Sequence, residues 1–125
     1  MKTIEQILRQ LTNGEFEFTR HALRRVVERN ISESEIRQAA RNGRIIEDYP
    51  DDKYSPSCLI LGFTQEGRPL HIQVSYAENE KVRIITLYEP DPDEWIEFSK
   101  RRFATVQKIR SSLAEWHIGS LGSES

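Results

Sequence analysis

Residues 57–88 read SCLILGFTQEGRPLHIQVSYAENEKVRIITLY, and this stretch decides the fold because its apolar residues recur at a period of about two. Strand-like runs rich in β-branched and aromatic residues are Arg44–Tyr49, Ser57–Thr64, Pro69–Tyr76 and Lys81–Tyr88. Turn-like segments at 65–68 and 77–80 link the last three runs. Links this short predict antiparallel neighbours, and therefore a four-stranded antiparallel sheet.

Helical signals dominate the residues that precede this sheet. Capping-box pairs open the first and third helices, and Thr19 is suited to cap the second. The two pairs are Thr3 with Gln6 and Ser32 with Glu35. Apolar residues then recur at helical spacing until Asn13-Gly14 and Asn42-Gly43 stop the first and third helices. The sequence predicts three helices before the sheet, with a short extended piece at Phe16 and Phe18.

The residues after Tyr88 break at Glu89–Asp93 and then become compatible with a helix from Trp95 to about Trp116. The end, Gly119–Ser125, is expected to be frayed. The expected architecture is α+β, with N-terminal helices packed on a four-stranded antiparallel sheet and a C-terminal helix. We expect one domain over residues 1–125, with the helices at 3–13 and about 95–116 as additions to its core.

Composition narrows the class of protein. The chain has 125 residues, of which 30% are charged, and its mean hydropathy is -0.64. No apolar run approaches the roughly 20 residues that a membrane span needs, and the N-terminus lacks the apolar stretch of a secretory signal, so we expect a cytoplasmic protein without membrane contact. Cys58 is the single cysteine, and the three histidines are scattered. We therefore expect no metal site and no cofactor.

The strand pattern predicts one polar and one apolar sheet face. A two-residue loop at Glu66-Gly67 would place Gly62 opposite His71, and a four-residue loop at 77–80 would place His71 opposite Thr86. The polar residues that share one face are then His71, Gln73, Thr86 and Tyr88, with Gly62 leaving room beside the imidazole. The predicted core face holds Leu59, Leu61, Phe63, Leu70, Ile72, Val74, Ile85 and Leu87.

A second polar feature lies on the second helix. His21, Arg25 and Arg29 follow one another at intervals of four residues and line one stripe, with Arg24 beside it. The residues expected to turn towards the core are Leu23, Val26 and Val27. Arginine suits phosphate because its guanidinium donates two parallel hydrogen bonds and keeps its charge. The alternative is an ordinary solvent-facing helix side with His21 partly buried.

These two features together would suit RNA cleavage without a metal. That reaction needs a base for the 2′-hydroxyl, a cation for the phosphate and an acid for the departing oxygen. The residues considered for these roles are His71, Arg25 or Arg29, and Tyr88 or His21. The alternative for His71 is a structural imidazole hydrogen-bonded to Thr86. Whether the helix stripe overhangs the polar sheet face is left open by the sequence.

Several short motifs support a family resemblance. They are Phe18–Ala22, Arg25, Arg29, Ile31-Ser32, Asn42-Gly43, Glu47–Asp52, Ser57–Gly62, Arg68–His71 and Ile85–Asp91. Over roughly residues 16–102 the chain resembles the bacterial and archaeal domain-of-unknown-function family 4258. That family resembles the RelE-like and MqsR-like ribonuclease toxins of toxin–antitoxin pairs at the level of fold.

The resemblance implies a RelE-like toxin-type fold and a metal-independent endoribonuclease. It also implies a small partner with a zinc-finger, antitoxin-like domain. The residues it points to are His21, Arg25, Arg29, His71 and Tyr88, while the N-terminal helix and the segment after Phe103 lie outside it.

The first functional hypothesis is accordingly a toxin-type endoribonuclease. It would bind RNA phosphates through the arginine stripe, with Arg24, Gln73 and Thr86 as further binding residues, and cleave with His71 or His21. The second is a non-catalytic module that binds protein or nucleic acid through the same surface. A third is a homodimer in which Glu89–Glu97 of one copy contacts the arginine stripe of another.

Overall fold

The computed structural model describes residues 1–102, which form three helices and seven strands. The helices are α1 Ile4–Thr12, α2 Arg20–Glu28 and α3 Glu33–Arg41. The strands are β1 Phe16–Phe18, β2 Arg44–Tyr49, β3 Ser57–Phe63, β4 Pro69–Ser75, β5 Val82–Tyr88, β6 Trp95–Ile96 and β7 Lys100–Arg101. Within this part of the chain, no helix has the length and apolar character needed to cross a membrane.

The three helices begin where the sequence predicts. Both capping boxes are formed, each with the hydroxyl of the capping residue accepting from a backbone amide and a glutamine or glutamate side chain accepting in return. In α2 the Thr19 hydroxyl accepts from the Ala22 amide at 3.0 Å and donates to the Ile85 carbonyl at 2.8 Å. This second bond ties the start of α2 to β5.

The main sheet has five strands in the order β1-β5-β4-β3-β2, and β1 runs parallel to β5. The prediction of a four-stranded antiparallel sheet is therefore wrong. The three residues of β1 pair with Val82, Arg83 and Ile84, and the Thr19 amide continues the ladder by donating to the Ile84 carbonyl at 3.0 Å. This pairing covers the edge of β5, which would otherwise expose its backbone groups.

The predicted register between β3 and β4 is wrong by one residue. Leu61 lies opposite His71, and Gly62 lies opposite Leu70, because the loop from Thr64 to Arg68 has five residues instead of two. A one-residue slip moves every side chain of a strand to the other face. The strand residues that pack with the helices in the core are Cys58, Ile60, Leu70, Ile72, Val74, Val82, Ile84 and Leu87. Leu59, Leu61, Phe63 and Ile85 were wrongly assigned to that face, and Phe63 is 36% exposed.

Gly62 lies against α3 and leaves no room beside His71. An added Cβ atom would come within 2.0 Å of the Ala39 carbonyl oxygen. The absence of a side chain thus allows the backbone of α3 to approach β3 closely, and Ala39 has no exposed surface. The predicted space beside the imidazole is a helix–sheet contact on the opposite face.

The outer side of α2 also differs from the prediction. Leu23 and Val27 were expected in the core, but their side chains are 52% and 73% exposed. The helix lies along β5 near the sheet edge, where Ala22 is buried and Val26 packs against the core. A helix at an edge buries only one narrow side, so its other apolar residues face solvent.

The predicted C-terminal helix is wrong where the structure can be compared with it. Residues 95–101 form a hairpin in which Trp95 pairs with Arg101, and the turn residues Glu97 and Phe98 have φ angles of +51° and +64°. Trp95 is 2% exposed and contacts His71. The indole is buried, and its segment pairs as a hairpin instead of forming the predicted helix. The rest of the predicted helix and the expected frayed tail lie outside the described residues.

The close approach at Gly62 predicts a large effect of a single methyl group. We expect Gly62→Ala to lower the free energy of unfolding by about 3 kcal/mol or more, because neither backbone can yield without moving α3 from the sheet. Gly67→Ala is the matched control, since Gly67 has a φ of +86° but open space around it, and should cost only about 1 kcal/mol. Urea denaturation measures both, and equal losses would contradict this account of the packing.

Candidate functional site at the junction of α2 and the polar sheet face

The polar sheet face is centred on His71, which has no exposed surface. The predicted pairing of His71 with Thr86 is wrong by two residues, because His71 pairs with Tyr88 and Gln73 pairs with Thr86. A shift of two residues keeps the strand faces, so the four polar residues predicted on one face do share it. The imidazole Nε2 lies 2.6 Å from the Phe98 carbonyl oxygen. A carbonyl only accepts, so Nε2 carries the proton and Nδ1 is left as an acceptor, 3.4 Å from the Tyr88 hydroxyl.

Burial sets the charge of this histidine. It lowers the pKa of His71 to about 4, although the hydrogen bond to Phe98 and the charge of Glu47 raise the pKa and Arg101 lowers it. The ring of Trp95 contacts the imidazole edge-on, with 4.4 Å between ring centroids. His71 is therefore neutral near pH 7 and is enclosed by the hairpin.

A nearly buried ion pair fixes the hairpin beside this histidine. The Arg101 guanidinium donates to both carboxylate oxygens of Glu47, at 2.8 and 3.1 Å, and the two side chains are only 7% and 14% exposed. The same guanidinium lies 4.5 Å from the centre of the Trp95 ring, and the Tyr49 hydroxyl donates to Glu47. The pair thus joins β2 to the hairpin through contacts that water cannot readily replace.

Tyr88 connects the sheet face to α2. Burial raises the pKa of Tyr88, the charges of Arg101 and Arg25 lower it, and Glu47 and Glu94 raise it. Tyr88 therefore keeps its proton at neutral pH and acts as a hydrogen-bond donor. The effect of Arg25 is informative because this residue belongs to α2, so its guanidinium is close enough to act on a hydroxyl of β5.

The inner side of α2 carries His21 and Arg25, both of them half-buried. Burial first, and then the positive charges of Arg25 and Arg24, lower the pKa of His21 below its ordinary value of 6.5, while Glu28 opposes this effect. His21 is consequently mostly neutral at pH 7 and able to accept a proton. Arg24 and Arg29 are exposed.

Apart from the enclosed His71, the residues predicted for the site divide into three groups. His21 and Arg25 lie on the half-buried side of α2, which packs along β5, the strand that ends at Tyr88. Gln73 and Thr86 are buried, and the Gln73 amide donates to Asp52 and Ser57 at 3.0 Å each. They support the loop after β2. The exposed Arg24 and Arg29 form the third group, on the surface of α2.

Sequence reasoning missed Arg68, which holds the end of α2 in place. Its guanidinium donates to the carbonyls of Arg29 and Asn30, at 2.9 and 3.2 Å, and pairs with Glu35 and Glu89 at 3.0 Å each. It also missed Glu47, Trp95 and Arg101. Alternation along β2 does not place Glu47 on the polar face, because a bulge between Ile45 and Glu47 turns it there. The assignment of Trp95 and Arg101 to a helix hid the contacts of these two residues.

The described residues contain no cluster of three or more histidine, cysteine, aspartate or glutamate side chains that could hold a metal ion. The arginines and histidines offer anion binding and proton transfer instead. The fold and the site together define an α+β protein in which a helix carrying His21 and Arg25 borders a small mixed sheet with a buried histidine.

Comparison with protein families agrees with the resemblance seen in the sequence. The model of the family described as a domain of unknown function, DUF4258, matches residues 18–89, and the chain belongs to this family. No curated protein and no solved structure matches the chain. The matched range includes His21, Arg25, His71 and Tyr88, and it ends before the hairpin that carries Trp95 and Arg101.

The low pKa of His71 predicts a measurable titration. In the folded protein its imidazole should titrate at about 4 instead of 6.5. Because the folded pKa is the lower one, the unfolded chain binds more protons as pH falls from about 6.5 to about 4. His71 then contributes stability above that range, and about 3 kcal/mol of it is lost on acidification. NMR titration of the ring nitrogens measures the pKa directly, and a value near 6.5 would contradict the enclosed imidazole.

The Glu47–Arg101 pair predicts a strong coupling. We expect Arg101→Met to destabilise the fold by about 3 kcal/mol, since it leaves the Glu47 carboxylate buried without its partner. Adding Glu47→Gln should cost less than the sum of the single changes. The exposed Glu17–Arg83 pair is the matched control and should contribute under about 1 kcal/mol. Urea-denaturation cycles for both pairs test this, and equal coupling energies would refute it.

Proposed function

We propose that the chain binds RNA phosphates where α2 borders β5, and that it acts there as a metal-independent, toxin-type endoribonuclease. One observation carries the proposal: α2 packs along β5, so the half-buried Arg25, and the neutral His21 one helical turn before it, lie on the helix that borders the strand of Tyr88. A cation, a proton acceptor and a proton donor are thereby grouped at the edge of one helix and one strand.

Arg25 is the phosphate-binding residue of this proposal. Its guanidinium can donate two hydrogen bonds to the non-bridging oxygens and offset the charge that develops on them. Arg24 and Arg29 lie at the surface of the same helix and extend the positive potential to neighbouring phosphates. Such contacts are independent of base sequence and weaken as salt increases.

His21 and Tyr88 are assigned the two proton transfers. The neutral imidazole of His21 takes the proton of the 2′-hydroxyl, whose oxygen then attacks the adjacent phosphorus. The bond from phosphorus to the 5′ oxygen breaks, and the departing oxygen takes the Tyr88 hydroxyl proton, which turns away from its long 3.4 Å contact with His71 Nδ1. The products are a 2′,3′-cyclic phosphate and a 5′-hydroxyl end, and no metal ion takes part.

His71 is a positioning residue in this scheme. Its Nδ1 accepts at the Tyr88 hydroxyl, and its Nε2–H is engaged by the Phe98 carbonyl. A fully buried imidazole cannot touch the 2′-hydroxyl of a bound RNA while the hairpin is in place. Its contribution is to orient Tyr88.

The second candidate is a binding module without catalysis. The enclosure of His71 favours this candidate. His71 is the histidine in contact with the Tyr88 hydroxyl, but it is buried under the hairpin and cannot contact RNA. In that case the Arg25 site would hold phosphate without turnover. The toxin-type proposal also includes action in the cytoplasm and a partner protein with a zinc-finger, antitoxin-like domain.

The test is RNA binding and cleavage by the purified full-length chain in a metal chelator. Arg25→Ala should weaken binding of a labelled single-stranded RNA by about tenfold or more, since a charged hydrogen-bond donor is removed. Arg9→Ala is the matched control, because it removes an exposed charge from α1 and should leave binding unchanged. Fluorescence anisotropy measures the affinities.

Cleavage is followed on the same RNA. His21→Ala should slow it by about a hundredfold or more, and Tyr88→Phe should slow it while preserving the affinity for RNA. RNA binding that depends on Arg25 without any cleavage would establish the binding module. Equal binding by the Arg25→Ala and Arg9→Ala variants would refute both candidates.

A further inference from the structure

The outward side of α2 presents a mixed apolar and cationic surface. Leu23 and Val27 lie one helical turn apart, with side chains 52% and 73% exposed. Arg20 and Arg24 form a neighbouring row on one side of this pair and are also exposed. We refer to these four residues as the outer α2 face.

Packing within the described residues does not account for this face. The core contacts of α2 come from Ala22, which is buried, and Val26, which packs against the core. Across residues 1–102, Arg20 and Arg24 form no ion pair. Two exposed aliphatic side chains stacked along a helix beside a row of two cations are the pattern of a helix that receives a partner.

The two arginines and two aliphatic side chains of the outer α2 face distinguish among its possible binding partners. RNA would satisfy the arginines but leave the aliphatic side chains uncovered, because bases stack on aromatic rings and guanidinium planes. A second α2 helix would bring four arginines, at positions 20, 24, 25 and 29, against four more, with only Glu28 to offset them on each copy.

The chain's own residues 103–125 are no better matched. They carry Lys108 and Arg110 against Glu115 and Glu124, so they offer no excess of negative charge to the two arginines. The occupant that satisfies both requirements has carboxylates around an aliphatic ridge.

We propose that the outer α2 face docks an acidic amphipathic helix of another protein. Leu23 and Val27 would pack against aliphatic residues spaced four apart on that helix, and Arg20 and Arg24 would pair with carboxylates that flank them. The contact is small, so we expect a salt-sensitive affinity in the micromolar range or weaker. This surface faces away from Arg25 and shares only the exposed Arg24 with the proposed phosphate site.

A designed peptide serves as the probe. It is a helical peptide of about 15 residues with leucines four apart on one side and glutamates on both flanks, and its counterpart has lysine at every glutamate position. Titration of the ¹⁵N-labelled full-length chain with the acidic peptide should shift the backbone amides of Arg20–Glu28. The lysine peptide should not shift them.

Matched variants locate the contact. Leu23→Ser combined with Val27→Ser should weaken peptide binding at least about tenfold, because two exposed apolar contacts are lost. Ile96→Ser, which removes a 41% exposed isoleucine from the hairpin, should leave binding unchanged. Arg24→Glu should also weaken binding, and Lys53→Glu, an exposed charge reversal elsewhere, should not.

Four results would overturn the proposal. They are no shift with the acidic peptide up to about 1 mM, equal binding by the Leu23→Ser/Val27→Ser variant, shifts of the Leu23 and Val27 side-chain methyl groups by RNA alone, and a dimer of the chain that this variant dissociates. RNA binding by the Leu23→Ser/Val27→Ser variant should remain intact. Its retention separates failure at this surface from failure of the phosphate site.

Discussion

The hydrogen bond from His71 to the Phe98 carbonyl joins the main sheet to the hairpin, and the candidate site depends on it. Because the acceptor is a carbonyl, the bond fixes the imidazole tautomer and leaves Nδ1 facing Tyr88. The bond also holds the carbonyl of a turn residue whose φ angle is +64°, a conformation that residues other than glycine rarely adopt. Trp95 and the Glu47–Arg101 pair then close the hairpin over the imidazole.

The two sheet faces serve different purposes. One is apolar and brings α3 so close to β3 that only glycine fits at position 62. The other is polar and is covered by a hairpin and a loop, whose short side chains and backbone groups can satisfy buried hydrogen bonds. Since α2 lies at the border between β5 and solvent, its inner side carries Arg25, whose charge lowers the pKa of Tyr88, and its outer side exposes Leu23 and Val27.

Short sequence patterns correctly predicted the features that depend on neighbouring residues, namely the helix starts and the strands. The capping residues located three helix starts, and the period-two runs located four strands and grouped His71 with Tyr88 on one face. The sequence did not predict three long-range features. The five-residue loop shifts the β3–β4 register by one position, and the three residues of β1 do not indicate that it pairs parallel to β5. The Glu47–Arg101 ion pair joins residues that are 54 positions apart in the sequence. The hairpin turn of Glu97 and Phe98 has no glycine or asparagine to announce its positive φ angles.

The central claim is that Arg25 of α2 and Tyr88 of β5 contact one phosphate. The most direct measurement is an NMR titration of the full-length chain with a short single-stranded RNA whose 2′-hydroxyls are methylated to prevent cleavage, followed at the arginine Nε–H and tyrosine ring signals. We predict that the Arg25 Nε–H and the Tyr88 ring shift together and saturate at the same RNA concentration. Shifts confined to arginines of α3, such as Arg37 and Arg41, with Arg25 and Tyr88 unchanged, would contradict the account.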